Sequence, residues 1–190
     1  MHYGSIDRSL CERIRWDRLA SNLRFAFDDL EFTGESSAYL SDAFCRFRVD
    51  ESSGLENTSG RAWTFVSRDP ERAYASYQGA MASAEEERSS RWPTVIEGID
   101  GWWDGGAYLE QYREAGYFKP LLDVQYHIYH ANLYIWVWFR GQVADDDLEQ
   151  ADALAIGHDL AAALIEEAIR LVPCEALGGA PPPTHCDAQE

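Results

Sequence analysis

Between Leu121 and Arg140 the chain alternates with a period of two, the signature of half-buried β-strands. In the first arm Leu122, Val124, Tyr126 and Ile128 point one way, and Asp123, Gln125, His127 and Tyr129 the other. In the second arm Leu133, Ile135, Val137 and Phe139 share one face, and Tyr134, Trp136, Trp138 and Arg140 the opposite one. His130-Ala131-Asn132 joins the arms, with Asn132 as the residue that tolerates a positive φ. This pattern predicts a central hairpin over about residues 121–140.

Other segments organise around it. Phe44–Val49 and Ala62–Ser67 alternate and read as strands joined by a turn-rich connection, and Trp92–Glu97 reads as a third short strand. Asp69-Pro70-Glu71 carries a helix-start signature. The helix it opens runs to about Ser89, with Ala73, Tyr74, Tyr77, Ala80, Met81 and Ala84 as its apolar stripe. A shorter helix is expected at Asp17–Leu23, capped by Asp17. A long last helix is expected over about 146–172, opened by Asp145–Asp147. Its buried stripe is read as Leu148, Ala151, Ala155, His158, Ala162, Ile165, Ile169 and Val172. Residues 1–8 read as frayed, Asp28–Asp42 as loop, and Tyr108–Tyr117 as holding a turn of helix. The fold expected is α+β: an antiparallel sheet with the central hairpin, flanked by helices. One domain spans 9–174, and 175–190 is a proline-rich tail.

Composition narrows the function classes. The 190 residues carry a net charge of −17, which disfavours nucleic acid and anionic membrane surfaces as partners. No stretch approaches the length of a membrane helix, and no apolar segment of the export type follows Met1. If the protein is exported, its signal segment has been removed. Four widely spaced cysteines, Cys11, Cys45, Cys174 and Cys186, form no Cys-x-x-Cys pair. Two disulfides in an oxidising compartment suit them, and four free thiols in the cytosol are the alternative.

Candidate chemistry is sparse. No nucleophile elbow, phosphate loop or dinucleotide fingerprint occurs, so no catalytic residue and no cofactor is assigned. Asp123, His127 and His130 lie near one another, but a strand and turn do not converge imidazoles on a metal. His158 reads as a core or boundary residue. The acids Glu97, Asp100 and Asp104 fit no calcium-loop spacing.

Leu10-Cys-Glu-Arg-Ile-Arg-Trp16, a short helix, and then Phe44-Cys-Arg-Phe47 resemble an uncharacterised family of actinobacterial cell-envelope lipoproteins. The Asp69-Pro70 helix, Ile96–Asp100, the Ala131-Asn132-Leu133 turn and the last helix keep the same order, so the resemblance spans most of 9–172. It implies export, membrane association only through a lipid anchor on a cysteine this chain lacks, and an antiparallel sandwich similar to PsbP and Mog1. It brings no catalytic residues, and Cys186 with the proline-rich tail departs from the pattern. Cys11 is expected to bond Cys45, holding the first helix to the sheet, and Cys174 to bond Cys186.

The functional expectation is a non-enzymatic extracytoplasmic domain that binds a small molecule, an envelope component or a partner protein. The alternatives are an envelope hydrolase or metal-dependent enzyme, and a cytosolic interaction domain. The candidate ligand residues are Trp102, Trp103, Asp123, His127, Tyr134, Trp136, Trp138 and Arg140. Two arrangements fit them. A second layer such as Gly101–Asp104 covers the polar-aromatic face of the hairpin, or that face and residues 97–108 enclose a partly open aromatic cleft.

Overall fold

The computed structural model describes residues 2–23, 26–37, 39–49, 54–88, 94–101, 103–115, 118–144 and 148–175. The chain begins with a short strand β1 (His2–Tyr3) and two helices, α1 (Ser9–Arg13) and α2 (Trp16–Leu23). Strands β2 (Phe27–Thr33), β3 (Leu40–Val49) and β4 (Leu55–Ser67) follow as an antiparallel meander. Helix α3 (Pro70–Arg88) then carries the chain across the sheet. A second meander returns through β5 (Thr94–Gly98), β6 (Gly105–Ala115), β7 (Phe118–His130) and β8 (Leu133–Val143). Helix α4 (Gln150–Leu171) and strand β9 (Cys174–Glu175) close the chain. Strand β8 pairs with β4, giving a seven-stranded antiparallel sheet of order β2-β3-β4-β8-β7-β6-β5 among the described residues. The fold is α+β, with the hairpin central and a long C-terminal helix.

One face of the sheet is sealed by α1, α2 and α4. The aliphatic side of the hairpin, Leu122, Val124, Leu133, Ile135, Val137 and Phe139, packs in one core with Leu160, Ala161, Leu164 and Ala168 of α4. Gly157 lies close on the strands: a Cβ there would stand 2.8 Å from Val124 Cγ2, so a larger residue would force the helix or Val124 to shift. The buried residues of α4 are Ala153, Leu154, Gly157, Leu160, Ala161, Leu164, Ile165, Glu167, Ala168 and Leu171, so Ile165 of the expected stripe is buried as expected. Of the expected stripe, Ala151, Ala155 and Ala162 are exposed. The helix begins at Gln150 rather than near 146, with Glu149 in the capping position, and Asp145–Asp147 lie outside the described residues.

Cys11 bonds to Cys45, linking α1 to β3 as expected. Beside the bridge Trp16 packs on Phe27, Phe32 and Phe47, with ring centroids 5.0, 6.0 and 5.6 Å apart. Gly60 leaves room for this cluster, since the Phe47 ring occupies the space a Cβ would take. Glu167 of α4 sits at its rim and accepts hydrogen bonds from the backbone N–H and guanidinium of Arg15 and from Arg170. Burial alone would raise the Glu167 pKa, but these donors outweigh it and hold the carboxyl at about 2. No described cysteine is free, and the Cys186 of the second expected bridge lies outside the described residues.

Several sequence expectations are corrected. Residues 2–8 are not frayed: β1 pairs with β9, and Tyr3 and Ile6 are buried. Asp17 lies inside α2 rather than capping it. The expected loop at 28–42 contains β2, an edge strand bulged between Asp28 and Glu31, where Asp29 takes a φ of 51°. A matching bulge in β4 is served by Asn57 at φ 48°. The segment expected to hold a helical turn, 108–117, is strand β6 as far as Ala115, and 116–117 lie outside the described residues. In the hairpin turn the positive φ falls on Ala131, at 50°, not on Asn132. The carboxamide of Asn132 instead accepts from Tyr3 N–H and donates to the carbonyls of Tyr3 and Ser67, tying the N-terminal segment to the sheet.

Candidate functional site

The second face of the sheet carries the other half of the alternation. Registered pairing across β4, β8 and β7 aligns Phe65, Tyr134 and Tyr129 in one row, and Trp63, Trp136 and His127 in the next. A third row holds Arg61, Trp138 and Gln125, and the last holds Ser59, Arg140 and Asp123. Helix α3 crosses the first two rows. It is held there by thin contacts: Ala73 and Ala84 are its buried apolar residues, and Tyr74 and Tyr77 rest on the Tyr129 ring.

Because α3 meets the sheet mainly through alanines, space remains beneath it. A cavity of about 250 Å³ is lined by Ala80, Ser83 and Ala84 of α3 and by Trp63, Leu109, Gln125, His127, Tyr134 and Trp136 of the sheet. No charged side chain among the described residues lines it. An apolar pocket of about 420 Å³ adjoins it beyond Trp63, between Leu40, Phe65 and the Arg72–Ser76 part of α3.

His127 is the polar centre of the first cavity. Its side chain is almost wholly buried, and burial depresses its pKa to about 4, so the imidazole is neutral near pH 7. Its Nδ1 lies 2.7 Å from the Tyr134 hydroxyl, whose own pKa is raised by burial. Its Nε2 has no hydrogen-bond partner among the described residues. If Nδ1–H donates to Tyr134, Nε2 accepts; if Tyr134 donates to Nδ1, Nε2–H donates. The pair can therefore offer a ligand either polarity. The Trp136 ring stacks near the imidazole at 6.4 Å, and its Nε1 donates to Gln125 Oε1 at 3.3 Å.

The other candidate residues divide into two groups. Asp123, buried, accepts from Trp138 Nε1 at 3.0 Å and from Arg140 at 2.7 and 3.0 Å. Arg61 and Arg140 lie over the Trp138 ring at 4.9 and 5.2 Å. These residues make a satisfied ion-pair network beyond the end of the cavity. Trp103 belongs elsewhere: it packs against the core on the α4 side and donates Nε1–H to the Ile99 carbonyl. Trp102 lies outside the described residues. The cleft expected between residues 97–108 and the polar-aromatic face is thus not formed by that loop; the element that covers the face is α3. Trp63 and the alanines of α3 were missed as site residues. The alternation of Ala62–Ser67 and the four-residue step from Ala80 to Ala84 are the signals that mark them.

His158, read from the sequence as a core or boundary residue, joins a chain on the opposite face. Its Nε2 donates to the Glu110 carboxylate at 2.7 Å, and its Nδ1 lies 2.9 Å from the Tyr126 hydroxyl. Burial and the nearby Asp159 and Glu110 raise the Tyr126 pKa, which favours a protonated phenol over a tyrosinate nucleophile. Among the described residues no three His, Cys, Asp or Glu side chains converge as a metal site; His130 pairs instead with Asp104 at 3.2 Å. No protein-family model matches the chain, and no curated protein matches it.

Proposed function

We propose that this protein is a non-enzymatic extracytoplasmic binding domain, of the lipoprotein type its sequence resembles, and that its ligand site is the aromatic groove beneath α3. The observation that carries the site is His127, a buried and neutral imidazole whose Nε2 has no hydrogen-bond partner among the described residues and opens on a cavity walled by indole rings. A ring nitrogen that opens on a cavity and has no partner among the described residues is free to bond a hydrogen-bonding occupant. The uncharged lining selects an uncharged ligand over a cationic one, and the volume selects a small one. The ligand class is a small aromatic or apolar molecule bearing one hydrogen-bonding group. The buried Cys11–Cys45 bridge supports the extracytoplasmic part of the reading.

The test is titration with indole and with p-cresol, followed by tryptophan fluorescence. Saturable quenching is expected in the wild type, weakened about tenfold in His127→Phe and in Trp136→Ala. Equal binding by the wild type and both variants, or no saturable binding, would sink the site.

A further inference from the structure

A second cavity, of about 290 Å³, lies where the ends of β3 and β4 meet the N-terminal segment and the hairpin turn. Its chemistry is opposite to that of the groove beneath α3. In a chain with 33 acidic residues, no carboxylate lines it among the described residues, and its one charged lining residue is Arg68. The Arg68 guanidinium is exposed and meets no carboxylate among the described residues.

Two hydroxyls add to this. Ser41 and Ser67 both line the cavity and are 3% and 1% exposed. Each oxygen accepts a backbone N–H, Ser41 from Ile6 and Ser67 from Asp69, both at 3.1 Å. Neither hydroxyl proton has an acceptor among the described residues. A buried hydroxyl that already accepts keeps a proton to give, and leaving it ungiven is costly. The Asn132 carboxamide holds this floor rigid through its bonds to Tyr3 and Ser67. At the rim stands Tyr39, 73% exposed.

We propose that this cavity is an oxyanion site for a small hydroxyl-bearing acid, a sugar acid or sugar phosphate. Arg68 and the hydroxyls of Ser41 and Ser67 are the donors, and the Tyr39 ring is the stacking platform. Charge-assisted donors in a lining without described carboxylates favour an anion even on a protein of strongly negative net charge. The site is independent of the groove beneath α3, and each stands if the other fails.

Amide chemical-shift titrations with glucuronate, glucose 6-phosphate and neutral glucose test it. One or both anions should shift the amides around Leu40 and Ser67, and the tighter of the two identifies the oxyanion. Glucose should shift them little. Arg68→Gln should weaken the anion about tenfold or more. Tyr39→Ala should weaken it several-fold, and both side chains are exposed enough to be changed without unfolding the protein. Absence of shifts with both anions, equal binding of glucose, or unchanged affinity in Arg68→Gln would overturn the assignment.

Discussion

The two faces of the one sheet are built from the same strands and end in opposite states. On the α4 face, Leu160 and Leu164 are fully buried against Val124, Ile135 and Phe139, and Gly157 lets the helix lie directly on the strands. That face is further held by the Cys11–Cys45 bridge and by Glu167 with its two arginines. On the α3 face the helix contributes two small buried residues, Ala73 and Ala84, and the strands beneath present Tyr134, His127 and Asp123. The first face closes by shape and area, as close-packed interiors do. The second face closes by hydrogen bonds and ring contacts, and it leaves cavities. Stability is concentrated on one side, and the other is packed loosely enough to keep cavities.

The largest effect is expected from the bridge. Replacing Cys11 and Cys45 by serine frees a link of sequence separation 34 and leaves two hydroxyls in an apolar core. A loss of about 4 kcal/mol or more in urea denaturation is expected. A loss below about 1 kcal/mol would show that the α4 face does not depend on it.

Next come matched truncations of the two helices. Leu164→Ala should cost about 3 kcal/mol, because a fully buried leucine leaves a cavity. Tyr74→Ala on α3, where the ring is 44% exposed, should cost under about 1 kcal/mol. Equal losses would erase the contrast between the faces.

Acid should separate the faces by pH. The His127 pKa falls from 6.5 to about 4 on folding. Above pH 6.5 it contributes no penalty; as the pH falls, the unfolded chain takes up a proton the folded one refuses. Stability should therefore decline between pH 6.5 and about 4, by up to about 3 kcal/mol. Glu167 falls from 4.5 to about 2, so its stabilisation is present above pH 4.5 and lost as the pH drops towards 2. His127→Gln should abolish the first decline and Glu167→Gln the second, measured as melting temperature against pH. One merged transition, unchanged by either substitution, would refute this order.

Much of the architecture was legible along the chain. The hairpin, α3 and the long C-terminal helix follow from period-two alternation, a helix-start signature and an apolar stripe, whereas the Cys11–Cys45 pairing came with the family resemblance and not with spacing. Two strands escaped notice, each for its own physical reason. Strand β2 is exposed over Asp28–Glu31 and bulged, so it shows no alternation. Strand β6 carries Tyr108, Leu109 and Tyr112 at helical spacing, and its pairing with β7 overrides that local preference. The candidate site was half legible: His127, Tyr134 and Trp136 stand on the face alternation assigns them, whereas Trp103 packs on the other side.

The sequence by itself determined which residues share a face, because side-chain periodicity is a local property of the backbone. It could not determine what lies on each face. Helix α4 is alanine-rich nearly all round, and which of its alanines are buried was decided by how it docks on the sheet, with Gly157 set close to Val124 and Phe139. Nor could it show that α3, and not the tryptophan loop at 101–104, covers the polar-aromatic face, since that depends on a crossing between two meanders. The cavities, the His127 nitrogen with no partner among the described residues and the pocket at Arg68 with no carboxylate in its described lining are set by distances between segments remote along the chain, and only the packed structure fixes those distances.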